Sequence, residues 1–160
     1  MADRDLLRKV LRDPVSFFAF GFGTGLSPVA PGTVGSAAGV AIAWLSLPLA
    51  LEWRILAGVL MIGAGIWLCG ESARRLGVHD HPGIVWDEIT AMYLVLLTVP
   101  PAIVPWALAF GLFRLFDVCK PWPIRDLDHR LRGGTGIMLD DLAAAFYAAS
   151  ILTFGRWLMS

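Results

Sequence analysis

The chain has 160 residues, enough for one folding unit and hardly two. Hydrophobic residues make up 57% and charged residues 16%, against about 45–50% and about 25% in an ordinary soluble domain, so one small core does not hide the apolar surplus and the rest must face lipid or another protomer. Thirteen basic and thirteen acidic residues cancel, which argues against a nucleic-acid binder, and two cysteines, Cys69 and Cys119, make no disulfide framework.

Residues 1–13 form a polar N-terminal segment, and no apolar core precedes a cleavage site, so no cleavable signal peptide is expected. GFGTGLSPVAPGTVGS, residues 21–36, is rich in glycine and proline and reads as a loop up to about residue 33. Such loops can turn backbone N–H groups toward an anion, and Thr24, Ser27, Thr33 and Ser36 add hydroxyls of the kind that hold phosphate oxygens. The bland reading is a tight helix–helix turn. Two charge-free runs follow, Val34 to Leu51 and Ile55 to Gly70, each near the length of a bilayer-spanning helix.

VHDHPGIVWDE, residues 78–88, then gathers His79, Asp80, His81, Asp87 and Glu88 at the head of a third apolar region, Ile89 to Phe113. Pro100 and Pro101 break that region, which predicts a helical hairpin or two bent half-spans. Carboxylates at a membrane boundary are expensive unless paired or bound to a cation. In FRLFDVCKPWPIRDLDHR, residues 113–130, Arg114, Asp117 and Lys120 recur along one helix face until Pro121. Charges at that spacing usually form a solvated ion-pair face; Asp117, Lys120 and Arg125 are singled out because they adjoin the apolar helix and the Pro-Trp-Pro turn. RGGTGIMLDDLAAA, residues 132–145, reads as a flexible glycine stretch with Asp140 and Asp141 at the head of a final run, Leu142 to Leu158. Adjacent acids on a helix point about 100° apart, so one of them needs a partner beyond capping.

The expected fold is therefore all-α: one polytopic membrane bundle of about four spans with a proline-broken third region. A buried helical bundle in water is the alternative, since helices apolar all round occur in both settings. Basic residues cluster in the N-terminal segment, at Arg74 and Arg75, and between 114 and 132, which places all three in the cytoplasm and puts the polar segments on one face. Five carboxylates at that face (Asp87, Glu88, Asp117, Asp140, Asp141) call for a hard cation, Mg2+ first. Lys120 and Arg125 beside it would suit a phosphate group.

GTGLSPVAPGTVGS, HDHPGIVWDE, FRLFDVCKPWPIR and GGTGIMLDDLAA, in this order and spacing, resemble the four signature segments of the bacterial phosphatidylglycerophosphatase A family, over roughly residues 18–150. The resemblance implies a Mg2+-dependent phosphatase of the inner membrane that converts phosphatidylglycerophosphate to phosphatidylglycerol and inorganic phosphate. On that reading Asp87, Glu88, Asp117, Asp140 and Asp141 supply metal ligands. Lys120 and Arg125 neutralise transition-state charge, and the His79-Asp80-His81 group supplies a proton donor, with His79 or His81 protonating the departing oxygen. The partner is a phospholipid in the bilayer, and oligomeric state is left open.

Two rivals stand beside it. Cys119 and Arg125 satisfy the C-x5-R spacing of cysteine-dependent phosphatases, although Pro121 and Pro123 remove two of the amide donors such a loop needs. Acids among membrane helices can also line a cation or proton pathway in a transporter.

Overall fold

The computed structural model describes residues 2–78, 81–122 and 133–159. Among these the fold is all-helical, with no strand. Helices α1 (Ala2–Arg12) and α2 (Pro14–Ala19) form an N-terminal corner, followed by a 3-10 segment (Gly21–Leu26). Then come α3 (Pro31–Leu45), α4 (Leu51–Leu76), α5 (Trp86–Leu97), α6 (Ile103–Cys119) and α7 (Gly134–Met159).

Local chemistry sets most of these ends. Asp13 caps α2, its carboxylate accepting from the Ser16 amide at 3.2 Å and the Ser16 hydroxyl at 2.7 Å. Gly77, left-handed at φ 73°, closes α4. The Pro100-Pro101 pair separates α5 from α6, giving the hairpin that the sequence predicts. Lys120, left-handed at φ 40°, ends α6 just before Pro121.

Two boundaries differ from the sequence reading. Helix α3 begins at Pro31, not near residue 33, because proline is well suited to a first helical position, where its missing N–H has no partner to lose. Helix α7 begins at Gly134, so the glycine stretch is already helical and Asp140 and Asp141 lie two turns inside. A methyl group at Gly134 would collide with the Ile66 carbonyl oxygen and stand 2.8 Å from the Gly70 amide nitrogen; only glycine lets α7 start against α4. Likewise a methyl at Gly39 would stand 2.6 Å from the Ile89 carbonyl oxygen, which is how closely α3 lies on α5.

Helices α4 and α7, 26 residues each, are long and apolar enough to cross a bilayer. Helix α3 is apolar but has 15 residues, about 22 Å at 1.5 Å per residue, short of a hydrocarbon layer of about 30 Å. Buried α5 runs through the middle: Met92, Tyr93, Val95 and Leu96 sit among α3, α6 and α7, while Trp44, Leu45, Val59, Leu60 and Phe146 point outward. That distribution, aliphatic and aromatic groups outside and small residues at the seams, is the pattern of a bundle solvated by lipid.

Candidate metal centre

The acids of three separate sequence segments meet at one end of the bundle. Asp87 and Glu88 occupy the first turn of α5, where the helix dipole favours negative charge. Asp141 comes from the neighbouring α7, and Asp117 from the last turn of α6. Asp87, Glu88 and Asp141 each offer one carboxylate oxygen, and these atoms lie within 4.8 Å of one another. Asp117 is near enough for its charge to act on both Glu88 and Asp141. Asp87, Asp117, Asp140 and Asp141 are all buried.

The donors fit a hard divalent ion. Asp87 Oδ1, Glu88 Oε2 and Asp141 Oδ2 are buried without a hydrogen-bond partner, and orphaned buried acceptors of like charge are costly unless a cation satisfies them. Three carboxylates whose oxygens already lie within 4.8 Å of one another would need only small side-chain shifts to hold one such ion. The acidic cluster is thus able to hold a metal ion.

Glycine makes room for it. Gly32, in the first turn of α3, lies directly against Glu88: a methyl there would overlap Oε1 and come within 3.2 Å of Cδ and 3.3 Å of Arg114 Nη1. Arg114 pairs with Asp117 one turn along α6, donates to the Ser36 hydroxyl at 3.3 Å, and exerts its positive charge on Glu88. The guanidinium therefore ties α3, α5 and α6 together around the acids. Sequence reasoning saw Arg114 in its i, i+3, i+6 series without singling it out; the available signal was its place between Phe113 and Leu115, where the apolar run meets Asp117.

The other residues singled out in the sequence are distributed as follows. Lys120 donates from Nζ to Asp140 Oδ2 at 2.5 Å, so Asp140 turns toward the end of α6 while its neighbour Asp141 joins the carboxylate trio. His81 accepts the Gly83 amide at Nδ1, 3.0 Å away, which leaves the proton of the neutral ring on Nε2, and its ring lies 5.3 Å from that of Phe20. Thr24 Oγ1 donates to the Gly21 carbonyl and Ser27 Oγ to the Val29 carbonyl, bonds internal to their loop. Thr33 lies in the first turn of α3. His79, Asp80 and Arg125 lie outside the described residues. Cys119 is exposed and is the last residue of α6, where the helix presents carbonyls and not the amide donors a phosphate-binding cysteine loop requires.

The sequence profile of phosphatidylglycerophosphatase A matches residues 17–156, nearly the whole chain. The chain belongs to the phosphatidylglycerophosphatase A family. Phosphatidylglycerophosphatase A of Escherichia coli (strain K12) is 44% identical over 150 residues, covering 92% of this chain and 86% of that protein. The protein of the same name from Haemophilus influenzae is 41% identical, over 95% of both chains. A Bacteroides thetaiotaomicron protein, named provisionally as a phosphatidylinositol-3-phosphatase, is 36% identical over 87% of this chain and 91% of its own length. No solved structure matches the chain. All three acid-bearing segments and the glycine-rich one before them fall inside the profile, whereas α1 lies outside it.

Proposed function

We propose that this chain hydrolyses the terminal phosphate monoester of phosphatidylglycerophosphate, giving phosphatidylglycerol and inorganic phosphate in phospholipid biosynthesis, with Mg2+ as the ion. The observation that carries the reading is the trio of buried, unpartnered carboxylate oxygens from α5 and α7, in a chain whose relatives carry that activity in their names. An all-oxygen donor set favours Mg2+ over zinc. Bound there, the ion supplies positive charge to the phosphoryl oxygens and an acidified water.

The chain's own residues do the rest. Asp87, Glu88 and Asp141 would hold the ion, with Asp117 beside them. Arg114 keeps Glu88 and Asp117 in place. Water attacks phosphorus, the phosphorus–oxygen bond to glycerol breaks, and the leaving oxygen takes a proton from the His79-Asp80-His81 segment. Lys120, held by Asp140, and Arg125, five residues later in the sequence, oppose the negative charge that builds on phosphate. Thr24, Ser27 and Thr33 belong to the loop and helix start that face the headgroup.

The protein is read as one multi-pass domain of the inner membrane, α3 and the α5–α6 hairpin completing a bundle of about four spans with α4 and α7. The site faces the cytoplasm, because Arg74, Arg75, Arg114 and Lys120 lie toward the end of the bundle that carries the acids. Acyl chains stay in the bilayer while the phosphate reaches the carboxylates.

The test is phosphate release from phosphatidylglycerophosphate by the purified protein, with EDTA, with added Mg2+, and with phosphatidic acid as competitor. Release that stops with EDTA and returns with Mg2+ is expected. Release indifferent to EDTA overturns the metal reading in favour of Cys119, and ion flux into liposomes without phosphate release overturns hydrolysis in favour of transport.

A further inference from the structure

Helix α1 carries two apolar stripes, and only one of them is used by the fold. Leu6 and Val10 pack inward, Val10 completely buried, in a cluster with Phe20, Leu68 and Ala73. Leu7 and Leu11, one turn apart on the adjoining face, are 44% and 53% exposed. Arg8 and Arg12 are exposed beyond them, and the sequence of α1 holds four basic residues against two acidic ones. Apolar stripe followed by basic stripe is the cross-section of a helix that lies in a lipid–water interface.

Its height in the bundle agrees. Lys9 Nζ donates to the Arg75 carbonyl at 2.8 Å, Arg75 Nη1 pairs with Asp13 at 2.5 Å, and the Ser72 hydroxyl reaches that of Ser16 at 3.4 Å. The Asp13 carboxyl stays below its ordinary range: burial pushes it up, and Ser16 and Arg75 outweigh that. These contacts fasten α1 and α2 to the stretch of α4 from Glu71 onward, where its apolar run gives way to charge. That point marks the edge of the hydrocarbon, so Leu7 and Leu11 stand at acyl depth with the arginines at headgroup depth.

We infer that α1 is an interfacial docking helix that binds anionic phospholipid headgroups, inserting Leu7 and Leu11 while Arg8 and Arg12 pair with lipid phosphates. The occupant follows from charge complementarity: an excess of guanidinium and ammonium groups beside an apolar stripe fits a negatively charged bilayer surface better than a second copy of the same positive helix. The inference rests on the membrane reading of the bundle and not on the chemistry of the acid cluster. Helix α1 would then hold the site's rim against the lipid class that contains its substrate.

The full-length protein with Leu11→Cys in a Cys119→Ser background, Cys69 being buried, is labelled with an environment-sensitive fluorophore and placed in nanodiscs of phosphatidylcholine alone or with phosphatidylglycerol. Emission should shift to the blue in the anionic discs, revert in high salt, and weaken about fivefold in the insertion equilibrium for each arginine removed in Arg8→Gln and Arg12→Gln. Equal emission in neutral and anionic discs overturns the inference, as does a shift that depends on the number of protein copies per disc and not on lipid charge. Phosphate release in detergent by the same variants should match the parent. A parent protein that releases no phosphate would defeat the proposed hydrolysis and leave the fluorescence result standing on its own.

Discussion

Gly32→Ala separates the acid site from the scaffold that carries it. The added methyl would overlap Glu88 Oε1 and approach Cδ to 3.2 Å, so either α3 or the Glu88 carboxylate must give way. Helix α3 is pinned: Gly39 lies against the Ile89 carbonyl, and a methyl at Gly35 would already stand 2.7 Å from Val85 Cβ. The carboxylate, the far end of a flexible side chain, therefore retreats by about 1 Å. A misplacement of that size can cost about 100-fold in rate, equivalent to about 2.7 kcal/mol of transition-state stabilisation. No core methylene is lost, so stability should change by less than about 1 kcal/mol. Phosphate release at a series of Mg2+ concentrations, with thermal unfolding of the same preparation, reads both quantities. The expected result is a fall of about 10- to 100-fold in turnover, a higher Mg2+ requirement and an almost unchanged Tm. Wild-type turnover and Mg2+ dependence would refute the placement of Glu88 at the ion, and activity lost only in step with unfolding would refute the argument that side chain and scaffold are separable.

Asp87→Asn and Asp141→Asn should each cut Mg2+-dependent phosphate release by at least about 100-fold, yet raise the Tm measured in EDTA, because each removes one buried carboxylate from a crowd of like-charged neighbours; a lower Tm in EDTA would contradict this. Phe22 holds a left-handed backbone at φ 59°, but its ring lies 6.1 Å from that of Phe17, 5.3 Å from Phe18 and 6.0 Å from Trp86, so Phe22→Gly should lower the Tm, the lost ring contacts outweighing the strain relieved. Cys119→Ser should leave phosphate release within about twofold of the parent, measured in detergent; loss of activity would restore the cysteine mechanism.

Much of the site is legible in the sequence because each acid interrupts or introduces an apolar run. A carboxylate at the edge of such a run has few inexpensive explanations, and that is why Asp87, Glu88, Asp117 and Asp141 stand out before any folding is known. The Pro100-Pro101 break is legible for a similar reason, since proline ends a helix by geometry alone. Pairings across helices are not legible. Nothing in a one-dimensional pattern says that Lys120 reaches Asp140, 20 residues on, or that Arg114 turns inward to Ser36 and Asp117 when the same spacing also describes a solvent-facing stripe. Glycine misleads here: the stretch before Ile137 reads as a flexible linker, whereas Gly134 is buried at the start of α7 because the neighbouring backbone occupies the space a side chain would take. The hydroxyls of Thr24 and Ser27 read as phosphate donors by type; in the fold their donated hydrogen bonds close their own turn.

The near-contact of bare backbone at Gly39 with Ile89, and at Gly134 with Ile66 and Gly70, bears on how freely this protein can vary. In a bilayer the solvent is as oily as the protein's own surface, so bulky outward residues such as Trp44 and Leu60 are held by little more than their greasiness, and many exchanges among them should pass unnoticed. The seams admit no such drift. Mutational tolerance should therefore run opposite to size across these contacts, with Gly39 and Gly134 far harder to replace than Trp44 or Leu60.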